Sequence, residues 1–393
     1  MRIGRLVVAA RCAGGLTVTL ALLALCLSGR SPAGAAPVEP GPRIPWQGGT
    51  WYLHGANLPW YNWGCDFGCG ALGGVSDPVV RAALEPVLRA ARASGLRVVR
   101  WWMLEGGAKP IQRDANGAPA GLDPAVYTDV DAALALAEEA DVYLIFTLFA
   151  GPGDVPGSWL TDPAQRARLA ETLAPLFGRY RGQPRLLAWD LFNEPEWDIW
   201  NNKVPAEAVQ ATVRDLAATV HAQSDAYVTV GSAMLDGLSL WVGQGLDYYT
   251  AHWYDYMSSG NWCAPCTDYA VVRARYGLDA PLVIGEFYAG PDTGARERFA
   301  TWYGKGYAGA LVWSLIPERT FDRMAIDLDA AAAFAAAHDD AGPRSQALRQ
   351  RARVGDRAQL AVQEQVALVR AHRCAVRAAP KLHPGAQRLQ KHD

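Results

Sequence analysis

The sequence predicts a (β/α)8 barrel, an α/β fold in which eight parallel strands are each followed by a helix. Three observations point there. Eight short apolar runs alternate with Ala/Leu/Arg-rich helical stretches between residues 50 and 340, the count such a barrel requires. The runs are apolar at successive positions, as strands are when helices cover both faces of a parallel sheet. No glycine-rich phosphate loop follows the first run, which weakens the rival reading, an open doubly wound sheet.

In order, the strands read as TWYLHGAN, LRVVRWW, DVYLIFTLF, LLAWDLFNE, AYVTVGS, DYYTAHWY, PLVIGEF and GALVWSL. The helix DPVVRAALEPVLRAARASG opens on Asp-Pro and closes on Gly95, and DPAQRARLAETLAPLFGRY opens the same way. Asp caps the free N–H groups of a first turn and Pro fits its opening position. The link MLDGLSLWVGQGL, between the fifth and sixth strands, is the weakest helical pattern.

Residues 1–36 have scattered Arg, an apolar run from Leu16 to Leu27 and a small-residue end, the layout of a secretory signal peptide. That run is about 12 residues, short of the ~20 a membrane span needs. The mature chain is expected to be exported and free of the membrane. Residues 37–49 read as a Pro/Gly-rich linker, 50–340 as the catalytic domain and 341–393 as a basic extension, partly helical or disordered.

Charge is uneven. The leader carries Arg2, Arg5, Arg11 and Arg30, and from Arg344 onward 11 Lys/Arg face 3 Asp/Glu, yet the whole chain is −2. The middle is therefore strongly acidic, which disfavours nucleic acid as a partner and suits a neutral substrate. A monomer is expected.

Export permits disulfides. Cys12 and Cys26 leave with the signal, and CDFGC (Cys65, Cys69) and CAPC (Cys263, Cys266) read as two short-range bridges, with Cys374 left over. The alternative is a four-thiolate zinc site, which needs both pairs to meet in space and lacks the usual ribbon spacing.

In a parallel barrel the chemistry gathers at the C-terminal strand ends. Those ends carry His54 and Asn57, with Trp60 close behind; Arg100, Trp101 and Trp102; Asn193 and Glu194; His252 and Tyr254; Glu286; and Trp313. Two carboxyls thus share one face with an Arg, a Tyr, an Asn and several indoles. Hydrolysis of a glycosidic bond needs one protonated and one ionised carboxyl. Arg100 can hold one of them ionised, Tyr254 can donate to the same group, and indole faces stack on sugar C–H surfaces. Taken singly, Glu194 also fits a helix N-terminal acid, and Glu286 a structural partner of Arg100.

From about Thr50 to Ala337 the chain resembles retaining glycoside hydrolases of clan A, and is most similar to the cellulase family, glycoside hydrolase family 5. NEP resembles that family's acid/base signature and implies Glu194 as acid/base, with Asn193 on the sugar 2-hydroxyl. VIGEF implies Glu286 as nucleophile. HWY implies Tyr254 as the nucleophile's partner and His252 as a site residue. Arg100 and a Trp313 platform complete the pattern, with Asn57, Trp60 and Trp102 as supporting or sugar-binding residues. No metal or organic cofactor is implied. One departure is strand three, where Thr147 or Phe149 stands in place of the His many members carry.

The resulting expectation is a secreted retaining β-glycosidase acting on a neutral polysaccharide or oligosaccharide, with β-1,4-glucan or β-mannan favoured. Its carboxyls should then lie about 5 to 5.5 Å apart. A carbohydrate-binding barrel without turnover, or a transglycosylase with the same residues, are the alternatives. Glu105, in the loop after strand two, reads first as a solvated charge and second as a substrate contact.

Overall fold

The computed structural model describes residues 41–70 and 73–343; the signal segment, and the basic extension from Arg344, lie outside the described residues. Twelve strands are described: β1 Ile44–Trp46, β2 Gly49–Trp51, β3 Leu53–Leu58, β4 Val98–Trp102, β5 Ile111–Arg113, β6 Pro119–Leu122, β7 Tyr143–Phe149, β8 Leu186–Asn193, β9 Tyr227–Ser232, β10 Tyr249–His252, β11 Leu282–Tyr288 and β12 Gly309–Trp313. Eight of them close a barrel in the order β3-β4-β7-β8-β9-β10-β11-β12 and back to β3, every pairing parallel.

The helices that matter for the wall are α1 Pro78–Ala93, α2 Pro124–Ala140, α4 Pro163–Arg179, α6 Ala206–Gln223, α7 Tyr269–Tyr276, α8 Ala295–Gly304 and α9 Leu328–Ala337, with short α3 Gly157–Thr161 and α5 Glu196–Trp200 between them. Asp77, Asp123 and Asp162 cap α1, α2 and α4 through their carboxylates, each before a Pro, as the Asp-Pro starts predict. On α1 the buried residues are Val80, Leu84, Leu88 and Ala91, one stripe at helical spacing. The weak link after β9 is a 3₁₀ helix, Leu235–Leu240. The long loop after β4 forms an antiparallel ribbon, β5 with β6.

Strand alternation divides the core in two. Outward residues such as Ala56, Val99, Leu144 and Ile284 join the helices in one large cluster. Inward residues near the strand starts, among them Leu53, Val98, Ile145, Leu187, Val283 and Leu311, form a second cluster with Ile44 and Trp51. The β1–β2 hairpin, which begins inside the stretch read as a linker, therefore packs against the N-terminal end of the barrel lining. Beyond α9 the chain returns to the same end: Tyr52 bridges to Ala341, and Arg43 Nε donates to Asp340 Oδ2 at 2.5 Å. No helix among the described residues is long and apolar enough to cross a membrane.

Besides a shift between Leu144 and Ile145 on β7, the barrel ladder shifts register at three places nearer the mouth: between Asp190 and Asn193 on β8, between Ala251 and His252 on β10, and between Ile284 and Phe287 on β11. Irregularities of this kind re-aim side chains. The latter three fall on the strands that deliver Asn193, His252 and Glu286.

Candidate active site

Asn193 and Glu194 at the end of β8 and Glu286 on β11 line one pocket at the C-terminal mouth, with Trp60, Trp63, Trp102, Glu105, Tyr254, Tyr256 and Trp313 also in its wall. Around the wall β8 and β11 are three strands apart. An oxygen of Glu194, an oxygen of Glu286 and a ring nitrogen of His252 all lie within 4.8 Å of one another, so the two carboxyls are close neighbours.

Their surroundings differ. Glu286, itself only 4 % exposed near the end of β11, accepts from Arg100 Nη1 at 2.8 Å on Oε1 and from the Tyr254 hydroxyl at 2.7 Å on Oε2. Burial pushes its carboxyl up, and His252, Arg100 and Tyr254 oppose that push. Among the described residues no Lys or Arg touches Glu194. Its Oε1 lies 2.8 Å from His252 Nδ1 and its Oε2 accepts from Trp197 Nε1 at 2.9 Å. Burial raises it to about 7. Burial also lowers His252, to about 4, so the imidazole beside Glu194 is neutral at pH 7. A full positive charge touches Glu286 alone, so a proton shared by the pair belongs on Glu194.

Arg100 organises this arrangement from below. Its guanidinium, 1 % exposed, donates to Asp190, Asn57, Glu286 and Asn193 and lies under the Trp102 ring, 4.3 Å from the centroid. Asn57 spends its amide N–H groups on Gly285 and Leu311 carbonyls, which makes it part of the barrel floor. Gly231 is required there, because a Cβ would come 2.6 Å from Arg100 Nη2. Trp313 donates to Asp322 Oδ2 at 2.8 Å and meets Trp102 edge to face; Trp60 meets Trp63 the same way.

Glu194 itself has a left-handed backbone, φ 46°, a conformation that costs a non-glycine residue about 1–3 kcal/mol. The turn is held open by Glu196, whose buried carboxylate accepts from Ser232 Oγ, Ala233 N and Trp241 Nε1. These donors lie at the end of β9 and beyond it, so the anchor ties the turn to the neighbouring strand.

Three sequence-based expectations are corrected. His54 does not reach the mouth: it alternates outward on β3, with Nε2 3.2 Å from the Ala331 carbonyl on α9 and its ring against Phe299 and Phe334. Trp101 likewise points outward, donating to Asp66 Oδ2 at 2.8 Å. Glu105 is not a solvated loop charge: it is 1 % exposed, accepts weakly from Gly64 N at 3.4 Å and is raised by burial to about 8. At the strand-three end, Thr147 faces inward and donates to Asp190 Oδ2, while Phe149 packs on Phe192. Cys65 is bonded to Cys69 and Cys263 to Cys266, which sets aside the zinc alternative.

The sequence reading missed Asp190, Glu196 and Trp197. A signal existed for the first: Asp190 is a lone acid inside an otherwise apolar strand, and burying a charge there demands a partner.

No protein-family model matches the chain. It is similar to a mannan endo-1,4-beta-mannosidase of Cryptopygus antarcticus, 27 % identical over 313 residues covering 67 % of this chain and 80 % of that protein. A mannan endo-1,4-beta-mannosidase of Mytilus edulis is 25 % identical over 325 residues, covering 70 % and 86 %. Among solved structures, the beta-mannanase from the blue mussel Mytilus edulis superposes with a TM-score of 0.63 at 23 % identity, covering 79 % of this chain and 99 % of that one. The beta-1,4-D-mannanase from Cryptopygus antarcticus gives 0.63 at 21 % identity, covering 78 % and 96 %. With a closed parallel barrel, two glutamates at its mouth and most of its length shared with these relatives, the chain is a glycoside hydrolase that resembles the clan A enzymes of the cellulase family, glycoside hydrolase family 5.

Proposed function

We propose that the chain is a secreted, monomeric, retaining endo-β-1,4-mannanase. The observation that carries the reading is the Glu194–Glu286 pair: two carboxyls whose atoms lie within 4.8 Å, one beside Arg100 and one beside a neutral His252. Inverting enzymes need a wider gap, about 6.5–9.5 Å, to fit a water between the carboxyls. The names of the relatives support mannan as the substrate and internal bonds as the site of cleavage.

In the first step Glu286 attacks the anomeric carbon while Glu194 gives its proton to the leaving oxygen. In the second, Glu194 takes a proton from water, which displaces Glu286 from the sugar with configuration kept. Tyr254 and Arg100 keep the attacking carboxylate ionised and aimed. Arg100 occupies Asn193 Oδ1, which leaves the Asn193 amide N–H groups to donate to the sugar 2-hydroxyl. Trp313 supplies a flat face for the sugar being attacked, and Trp60 and Trp102 extend the aromatic wall. The chemistry calls for no cofactor. Residues 1–36 serve as the export signal, and the two disulfides suit an oxidising compartment.

The test is reducing-sugar release by residues 37–393 from β-mannan, carboxymethyl-cellulose, mixed-linkage β-glucan and xylan, with Glu286→Ala as control. Turnover of mannan that disappears in the variant, with the β-anomer formed first by NMR, supports the reading. Mannan left intact while another polymer is cut would replace the substrate, and an α-anomer would replace the mechanism.

A further inference from the structure

Trp197 sits three residues past Glu194, in α5, and its indole N–H donates to Glu194 Oε2 at 2.9 Å. The residue is 38 % exposed, so burial of the ring does little for the core. Nor does the local fold need this hydrogen bond. Helix α5 is fastened by Glu196 to Ser232, Ala233 and Trp241, and by Asp198, which accepts from Gly153 N at 2.6 Å and pairs with Lys203. Trp200 meets the Trp197 ring edge to face at 5.5 Å and fixes its plane.

We propose that Trp197 is a positioning residue for proton transfer: its N–H fixes Glu194 Oε2 and stabilises the carboxylate left behind once the proton has gone. The inference rests on the hydrolase reading above. As the glycosidic C–O bond breaks and the Glu286–carbon bond forms, the Glu194 proton moves to the departing oxygen and negative charge appears on Glu194. A donor already aimed at that oxygen needs no reorganisation when the charge develops.

The groups facing Glu194 leave this task to Trp197. From β4 comes Arg100, whose charge acts on Glu194 without contact and is spent on Asp190 and Glu286. From β10 comes His252, neutral and on the other oxygen. Glu286, from β11, is of like sign, and Tyr254 and Tyr256 lie near it as phenols.

The decisive experiment is a ¹³C-carboxyl NMR titration of the whole protein, with Glu194 assigned by its loss in Glu194→Gln. In Trp197→Phe, which keeps a ring and removes the donor, the Glu194 midpoint should rise by about one pH unit. At pH values below the Glu194 midpoint kcat/KM on β-mannan should fall about tenfold, while an aryl glycoside with a good leaving group, which needs little protonation, should be nearly unaffected. In the wild-type protein the Trp197 indole N–H resonance should shift with the Glu194 midpoint, a measurement that does not depend on any variant folding. An unmoved Glu194 midpoint, or an indole resonance indifferent to it, overturns the inference even if mannan is cleaved. A wild-type protein that cleaves no β-glycan removes the hydrolase reading and the catalytic part of the inference with it.

Discussion

Arg100 and Asp190 form an ion pair buried at the base of the barrel mouth, Nη2 to Oδ2 2.7 Å, with both side chains almost fully withdrawn from solvent. The same guanidinium holds Glu286 at 2.8 Å, so the proposed nucleophile is aimed by an arginine that is itself aimed by Asp190. Buried pairs gain little net stability, but breaking one strands a charge. Asp190→Ala should cost about 3–5 kcal/mol in a chemical-denaturation midpoint and also reduce turnover, because Arg100 is then free to leave Glu286.

The acid limb and the alkaline limb of activity should belong to different carboxyls. As the proposed proton donor Glu194 works only while protonated, and burial lifts it to about 7. On an unactivated β-glycan, kcat/KM should therefore fall as pH rises through about 7. Glu194→Gln should abolish that limb and lower the rate about 10²–10⁴-fold. The check is a pH–rate profile of both proteins. A wild-type rate flat through this range would remove Glu194 as the proton donor.

Glu105 should make the protein less stable as the solution becomes more alkaline. Its folded carboxyl is raised from the ordinary 4.5 to about 8. Between those values the unfolded chain gives up the proton while the folded chain keeps it, so folding stability falls with rising pH. By pH 7 the loss is about 3 kcal/mol, and below about pH 4 it vanishes because both states are protonated. Glu105→Gln removes this slope. Its melting temperature should match the wild type near pH 4 and exceed it at pH 7.

The Cys65–Cys69 bridge staples the loop that carries Asp66, and Asp66 takes the backbone N–H groups of Tyr61 and Asn62 and the indole of Trp101. By loop-closure entropy a ring this short contributes about 2 kcal/mol. Replacing both cysteines by Ser should lower stability by that amount in urea. KM should rise more than kcat falls, since Trp60 and Trp63 flank the loop and Glu194 and Glu286 do not.

The features the sequence determined by itself are the local ones. Apolar runs and Asp-Pro helix starts specify strands and capped helices through neighbours a few residues apart, and eight such units imply closure. Asn193, Glu194, Glu286, His252 and Tyr254 stand at strand ends, and in a parallel barrel all such ends meet at one mouth. The cysteine pairs are three and four residues apart, so proximity in the chain already joins them. The features only the tertiary structure decided depend on which way a strand residue faces and on what arrives from far away. His54 and Asn57 share β3, yet alternation sends one to the helices and the other to Arg100. Arg100 and Glu286 are 186 residues apart. Asp190, Glu196 and Glu105 are ordinary acids until the fold closes over them. The division of labour between the two glutamates follows from that closure, because a carboxyl's proton affinity is set by the charges and donors that surround it and by the water it has lost.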